Sequence, residues 1–222
     1  MAHTIGMAAH AGAQAVRLGL YLGLNRIVGW RTSALGLEKT QAPVETPRGP
    51  VPSQADLLRD LVSVLMQDAA AVRDGLYPPM ADEPSLPVQL ARIRDMLADL
   101  PSTVARRNDR DASTARASAN ANADALPDYF VQDFHFQTDG YLSDRSARLY
   151  DLQVETLFYG AAGAMRRQGL RPIAAYMHGR DQRGINLLDV ACGTGRLLRA
   201  IRLAYPAMKL AGLDLSHAHL NE

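Results

Sequence analysis

The sequence predicts an α/β protein in which a helical N-terminal region precedes one strand–helix–strand unit. Two short apolar runs, at 186–190 and 209–213, are typical of buried parallel strands, and each is accompanied by an acid. Between them, residues 196–205 carry apolar side chains at helical spacing, and Pro206 ends that pattern. This order predicts that the two strands lie side by side with the helix crossing between them.

The composition is that of a soluble globular protein, with 47% hydrophobic and 21% charged residues. A net charge of +1 gives no reason to expect nucleic acid or an anionic membrane as a partner. The one cysteine, Cys192, excludes an internal disulfide framework and suits a cytoplasmic location. We expect no membrane span, because the most apolar early run, 18–24, is far shorter than the roughly 20 residues a span needs.

Residues 1–101 are expected to form the N-terminal helical region. Residues 1–37 lack acids, as some transit peptides do. We favour the alternative that 8–28 forms a helix that packs against the rest of the protein, with Trp30 in the contact. Ser53 and Asp56 have the spacing of a capping box. The helix that they begin is expected to end near Asp74 and to bury the apolar residues Leu57, Leu58, Leu61, Val64, Leu65 and Val72.

A second amphipathic helix is expected from Pro87 to Leu100, closed by Pro101. Residues 102–126 have almost no large apolar side chains, so they cannot offset the entropy of ordering, and we expect a flexible linker. Residues 127–185 are expected to be a helical cap segment before the first strand. Ser143 should cap a helix that reaches about Tyr159, and helix should continue after 161 with exposed arginines at 166, 167, 171 and 180. Residues 179–184 should form the polar turn into the first strand.

The turn between the first strand and its helix is made of small residues, Ala191-Cys192-Gly193-Thr194-Gly195. Glycine lets the backbone turn sharply and lets a ligand lie against it. The free N–H groups of the following helix point back at this turn. Asp214, at the end of the second run, can accept two hydrogen bonds from a ribose diol. These features predict an adenosine-containing ligand.

Two nucleotide classes fit the turn poorly. A dinucleotide fingerprint needs a third glycine, and Leu198 stands there, which counts against NAD or FAD. A P-loop needs Lys and then Ser or Thr after its last glycine, where this chain has Arg196 and Leu197. Asp189, before the glycines, does not suit a pyrophosphate but does suit a ligand that carries an ammonium group.

The segment LLDVACGTGR resembles the first motif of class I S-adenosylmethionine-dependent methyltransferases, and AGLDLS resembles their second. The resemblance implies a Rossmann-like sheet that begins within 186–222, with S-adenosyl-L-methionine as cofactor. Asp189, Ala191, Gly193 and Gly195 would line the methionine part, although the family often has Gly where this chain has Ala191. Asp214 would hold the ribose hydroxyls and Leu215 would lie beside the adenine. Further cofactor-binding candidates in these motifs are Cys192, Thr194 and Ser216.

The segment 127–160 is rich in aromatic residues, with all four phenylalanines and four of the eight tyrosines. In many small-molecule methyltransferases a segment of this kind folds over the cofactor. By that resemblance Tyr141 and Tyr150 are cofactor-binding candidates, although packing of the helix against the sheet would explain them equally well. Packing is the better explanation for the remaining pocket candidates, which are His135, Thr138, Asp139 and Arg145.

The leading hypothesis is therefore a methyltransferase that transfers a methyl group to a small-molecule acceptor, with no catalytic residue assigned. A non-catalytic helical interaction module fused to a truncated or degenerate cofactor fold is the alternative from another class, and an NAD-dependent oxidoreductase is a third.

Because a class I sheet has about seven strands and only two are evident, we expect the chain to be the front part of a longer protein. His217 and His219 are two apart, on different sides of a helix, so we expect no metal site.

Overall fold

The computed structural model describes residues 2–36, 49–79, 86–109, 126–131 and 138–222. The larger helices are α1 (Ala2–Ala34), α2 (Gln54–Arg73), α3 (Leu86–Asp109) and α4 (Asp144–Leu157). The rest follows as α5 (Ala162–Arg167), α6 (Leu170–Met177), a 3₁₀ turn (Gln182–Gly184), β1 (Asn186–Val190), α7 (Arg196–Ala204), β2 (Lys209–Leu213) and α8 (His217–Asn221). The described part is thus a mostly helical α/β structure with a small parallel sheet.

The N-terminal helix α1 confirms the helix expected over 8–28 and extends beyond it at both ends. It buries Tyr21 and Leu24, which pack with Met96 of α3 and with Leu149 and Leu152 of α4. Trp30 is 71% exposed, so the expectation that it packs is wrong. The reason is its position, because a residue six after Leu24 points away from the stripe that Tyr21 and Leu24 form.

Helix α2 begins as predicted, with both hydrogen bonds of the Ser53–Asp56 capping box present, and it ends at Asp74. The prediction that α2 buries Leu57 and Leu58 is wrong, because both side chains, in the first half of the helix, are exposed. Of that predicted set only Val72 is fully buried. The helix is held by its C-terminal half, whose buried residues are Asp68, Ala69, Ala71 and Val72.

Helix α3 runs through Pro101 to Asp109, so the prediction that Pro101 closes it is wrong. Residues 102–109 of the expected linker are helical. Proline removes one helical hydrogen bond, but here its ring is exposed, and Leu100 and Val104 on the other side are buried. Tertiary packing therefore outweighs the local preference. The rest of that linker, 110–125, lies outside the described residues.

Helix α4 is capped by Ser143, as predicted, and ends two residues before Tyr159. The single helix expected after 161 is instead broken into α5 and α6. The turn expected at 179–184 is confirmed, because α6 ends at Met177 and the 3₁₀ turn lies at Gln182–Gly184. Arg167 was expected to be exposed but is 6% exposed, because its guanidinium pairs with buried Asp68 of α2. This pair ties α5 to α2.

The two strands are parallel and pair from Asn186 with Lys209 to Val190 with Leu213, which confirms the βαβ unit. One face of this sheet packs on the main apolar core, to which Leu187 and Leu210 are joined. The core itself consists of Ala71, Val72, Tyr77, Leu170, Met177, Ala200, Ile201 and Met208. On the other face Leu188 and Val190 are exposed, so the expectation of a fully buried strand is wrong. Covering helices lie on one side only in the described residues.

Candidate functional site

The glycine turn, residues 191–195, lies at the carboxyl edge of the sheet. The amides of Ala191 and Cys192 both donate to the carbonyl oxygen of Leu213, at 2.7 and 3.1 Å, which joins the turn to the end of β2. Gly193 and Gly195 have φ values of 56° and 70°, a left-handed conformation that favours glycine. These left-handed conformations explain the two glycines of the motif as backbone requirements of the turn.

Gly212 is a close-packing position beside the glycine turn that sequence reasoning missed. A Cβ on this residue would lie 2.7 Å from the Cys192 sulfur and 2.8 Å from a methyl group of Leu198. The absence of a side chain at Gly212 therefore lets the turn and α7 lie directly against β2. The signal was present in the sequence as a glycine inside an apolar strand, which indicates that another group approaches closely, and here that group is the side chains of Cys192 and Leu198.

Asp214 joins the two sequence motifs. One oxygen of its carboxylate accepts the Gly193 N–H and the other accepts the Ser216 N–H, both at 2.8 Å. Each carboxylate oxygen can accept a second hydrogen bond, so acceptor capacity remains for a ligand. Asp214 makes no ion pair with a described residue. The predicted ribose residue thus also shapes the turn.

Asp189 lies close to Asp214, on the neighbouring strand end. Its pKa is raised, first by partial burial and then by the negative charge of Asp214. Asp189 also has no ion pair with a described residue, so within the described part of the chain two acids share this edge without a neutralising cation. The arrangement favours a ligand with positive charge and hydrogen-bond donors.

Cys192 is half-buried beside these acids. Burial raises the pKa of its thiol, and the charges of Asp214 and Asp189 raise it further. A thiol held protonated is a poor nucleophile, which supports its interpretation as a small turn residue.

Thr194 ties the turn to helix α4. Its hydroxyl donates to the buried carboxylate of Asp151, at 3.0 Å. That carboxylate also lies 3.7 Å from the Arg166 guanidinium and 3.9 Å from the Arg196 guanidinium. Arg166 pairs in turn with Glu155, at 3.1 Å, and Glu155 pairs with Arg17 of α1 at 3.0 Å.

This chain of charges from the turn to α1 was missed by sequence reasoning. The available signal was the pair of acids at 151 and 155, which are four apart and lie on the same face of α4 as Leu152. Acids on the buried side of an amphipathic helix need partners, and the partners here come from distant segments.

The cap segment meets the second motif at the turn after β2. The hydroxyl of Ser216 donates to the carbonyl oxygen of Tyr141. The rings of Tyr141 and Tyr150 lie 5.8 Å apart, edge to face, and each packs against the ring of His219. The structure therefore brings Tyr141, Tyr150, Leu215 and Ser216 together with Asp214.

The other cap candidates lie elsewhere. Thr138 and Arg145 both bond the carboxylate of Asp99 in α3, at 2.8 and 3.0 Å, which explains them as packing contacts between helices. Asp139 has a φ of 63° and forms the turn before α4. His135 lies outside the described residues.

A cleft of about 550 Å³ between α1, α3 and α4 reaches Tyr141 and Tyr150. Its wall combines apolar side chains with polar ones. The apolar side chains include Val28, Met96, Leu100, Val154 and Phe158, and the polar ones are Asn25, Asp99, Thr103, Gln153 and Thr156. A cleft of this size and character can hold a small organic molecule.

Comparisons with protein-family models, with curated proteins and with solved structures give no match to this chain. No helix within the described ranges combines the length and the apolar character that crossing a membrane requires. The same ranges contain no group of three His, Cys, Asp or Glu side chains that could hold a metal ion.

Proposed function

We propose that the protein is an S-adenosyl-L-methionine-dependent methyltransferase with a small-molecule acceptor. The cofactor would lie across the carboxyl ends of β1 and β2, as in a Rossmann-like domain. The observation that carries this proposal is the carboxylate of Asp214, which accepts a hydrogen bond from the glycine turn, keeps acceptor capacity and lies near Asp189, with no ion pair from either acid to a described residue. A cytoplasmic location remains part of the proposal.

The charge at this edge favours that cofactor over a dinucleotide. S-adenosylmethionine carries a sulfonium and an ammonium group, both positive, and a ribose diol that donates two hydrogen bonds. A pyrophosphate would instead bring two negative charges towards Asp189 and Asp214, which raises its free energy of binding. The open backbone at Gly193 and Gly195 would let the methionine part lie close to the turn.

The proposed reaction is an in-line displacement. Bound S-adenosylmethionine would supply an activated methyl group: a nucleophilic atom of the acceptor would bond to the methyl carbon as the bond from that carbon to sulfur breaks, and the electron pair would stay on sulfur as a neutral thioether. The acceptor loses a proton to solvent or to a base. Because the sulfonium is already an activated leaving group, most of the catalysis can come from positioning. The cleft at Tyr141 and Tyr150 is the proposed acceptor site.

Calorimetric titration with S-adenosylhomocysteine tests the site. Asp214→Asn removes the charge that would hold the ribose, and Gly193→Val places a β-branched side chain at a left-handed position. We expect both variants to bind at least about 10-fold more weakly, as loss of a charged hydrogen bond predicts. Asp60→Asn, on the exposed surface of α2, is the matched control and should bind as the wild type does. Unchanged affinity in Asp214→Asn and Gly193→Val would show that the site is wrong.

The second candidate is a non-catalytic interaction module. One observation favours it, namely the exposed apolar side chains of Leu57 and Leu58 in a groove of about 670 Å³ that also includes Leu22 and Phe158. Contiguous exposed apolar surface often marks a site where another protein binds. This candidate predicts that the wild-type protein binds no S-adenosylhomocysteine, so the same titration separates the two functions.

A further inference from the structure

His219 is buried, with 3% of its surface exposed, yet its Nε2 atom has no hydrogen-bond partner among the residues that the structure describes. Its other ring nitrogen, Nδ1, lies 2.7 Å from the hydroxyl oxygen of Ser216. A buried polar atom without a partner is rare and costly in folded proteins, and it calls for an explanation.

The hydrogen bonds of Ser216 determine which nitrogen of His219 carries the proton. The single hydroxyl hydrogen of Ser216 is donated to the carbonyl oxygen of Tyr141, which can only accept. The Ser216 oxygen therefore accepts from the backbone N–H of His219, at 3.1 Å, and from Nδ1–H. In the neutral imidazole, Nε2 is then left with a bare lone pair.

The imidazole is expected to be neutral at pH 7. Burial lowers the pKa of His219, and it outweighs the opposing effects of Asp214, the Tyr141 carbonyl, Asp151 and Glu222. Nε2 is accordingly an acceptor, and it can be satisfied only by a group that donates an O–H or N–H.

The position of His219 indicates where such a donor would come from. Ser216, which holds Nδ1, is itself bonded through its amide to Asp214. The rings of Tyr150 and Tyr141 stand at 5.0 and 5.6 Å from the imidazole, both nearly perpendicular to it. Tyr150 makes ring contacts but no hydrogen bond in the part of the chain that the structure describes, so a turn of its side chain breaks ring contacts and no described hydrogen bond.

We propose that Nε2 of His219 accepts a hydrogen bond from the nucleoside part of the bound cofactor, and that Tyr150 turns to admit it. This rests on the proposed function. A nucleoside held by its ribose at Asp214 and passing Leu215 comes against the turn that carries His219. Its hydroxyl and amino groups supply the donor that Nε2 lacks, so His219 is a cofactor-binding residue outside the two sequence motifs.

Nitrogen NMR of the histidine rings tests the proposal in the wild-type protein. Before ligand is added, His219 should show a protonated Nδ1 and an unprotonated Nε2. Saturating S-adenosylhomocysteine should shift the Nε2 resonance of His219 in the direction of hydrogen bonding and leave the exposed His217 unchanged. Saturable binding with an unshifted Nε2 would overturn the role of His219 while leaving the proposed function standing. Absence of binding would overturn both.

A substitution gives an independent readout. His219→Phe keeps an aromatic ring between the two tyrosines and removes the acceptor. We expect affinity for S-adenosylhomocysteine to fall about 5- to 100-fold, and His219→Gln, which keeps an acceptor, to recover part of it. Equal affinity in the wild type and in a folded His219→Phe protein would contradict the proposal.

Discussion

Ala191 has a left-handed backbone conformation, with a φ of 64°, although it is not a glycine. The amide of this residue is held by the carbonyl of Leu213, so the turn imposes the conformation. For a residue with a Cβ this costs about 1–2 kcal/mol. The resemblance suggested glycine as the usual residue here, and the backbone geometry gives the physical reason.

We therefore predict that Ala191→Gly leaves the free energy of unfolding unchanged or raises it by up to about 1 kcal/mol, because relief of strain exceeds the added entropy of the unfolded chain. The matched control is Ala91→Gly at an exposed position within α3, which should lower it by roughly 0.5–1 kcal/mol. Urea unfolding monitored by circular dichroism measures both. An equal loss in the two variants would mean that Ala191 is not strained.

At the scale of the elements, Asp68 holds three helices together. Its fully buried carboxylate accepts hydrogen bonds from His10 of α1, at 2.7 Å, and from Arg167 of α5, at 2.8 and 2.9 Å. Tyr77, just after α2, donates to it at 2.7 Å. Burial alone would raise the pKa of Asp68, but these bonds hold it well below its usual range.

The sign of the resulting pH dependence follows from that lowered pKa. The stabilisation from Asp68 is present above the unfolded-state pKa, about 3.9, and is lost as the pH falls below it. Asp68→Asn should lower the free energy of unfolding by about 3–5 kcal/mol at pH 7, and this difference from the wild type should shrink below pH 4. Urea titrations at several pH values measure it, with Asp60→Asn as the control. If the free energy of unfolding of Asp68→Asn differed from that of the wild type by the same amount at every pH, the lowered pKa of Asp68 would be contradicted.

Helix α4 positions the glycine turn through Asp151. We predict that Asp151→Asn weakens S-adenosylhomocysteine binding several-fold, because the Thr194 hydroxyl and two guanidinium groups lose their anionic partner. Asp144→Asn, at the exposed start of the same helix, should leave the affinity unchanged. Conservative Asp151→Glu should recover part of the loss if the charge is what matters. Calorimetric titration of the folded variants with S-adenosylhomocysteine measures these affinities. Wild-type affinity in Asp151→Asn would show that Asp151 does not position the glycine turn for binding.

At the scale of the whole molecule, the elements that local chemistry determines could be predicted and the contacts between distant segments could not. The capping box at Ser53, the cap at Ser143 and the stop at Pro206 each depend on a few neighbouring residues. The ion pair between Asp68 and Arg167 joins residues 99 positions apart, and no local pattern indicates it. The exposed half of α2 and the open face of β1 were missed for the same reason, since an apolar stripe does not reveal what covers it.

The residues of the candidate site likewise fall into those that a local sequence pattern predicts and those that only the folded structure brings together. Asp214 and the glycines were found from their spacing, whereas Gly212, Asp151 and His219 required the positions of residues far along the chain. His219 was considered only as a metal ligand, because its burial and its contact with Ser216 cannot be read from two histidines in a short tail.

The central claim is that the carboxyl edge of β1 and β2 binds S-adenosylmethionine. The most direct test is calorimetric titration of the wild-type protein with S-adenosylmethionine and, in the same buffer, with NAD⁺. We predict saturable binding of S-adenosylmethionine at one site and no measurable heat from NAD⁺, because Asp189 and Asp214 attract the first ligand and repel the second. Binding of NAD⁺ in preference to S-adenosylmethionine, or of neither, would contradict the claim.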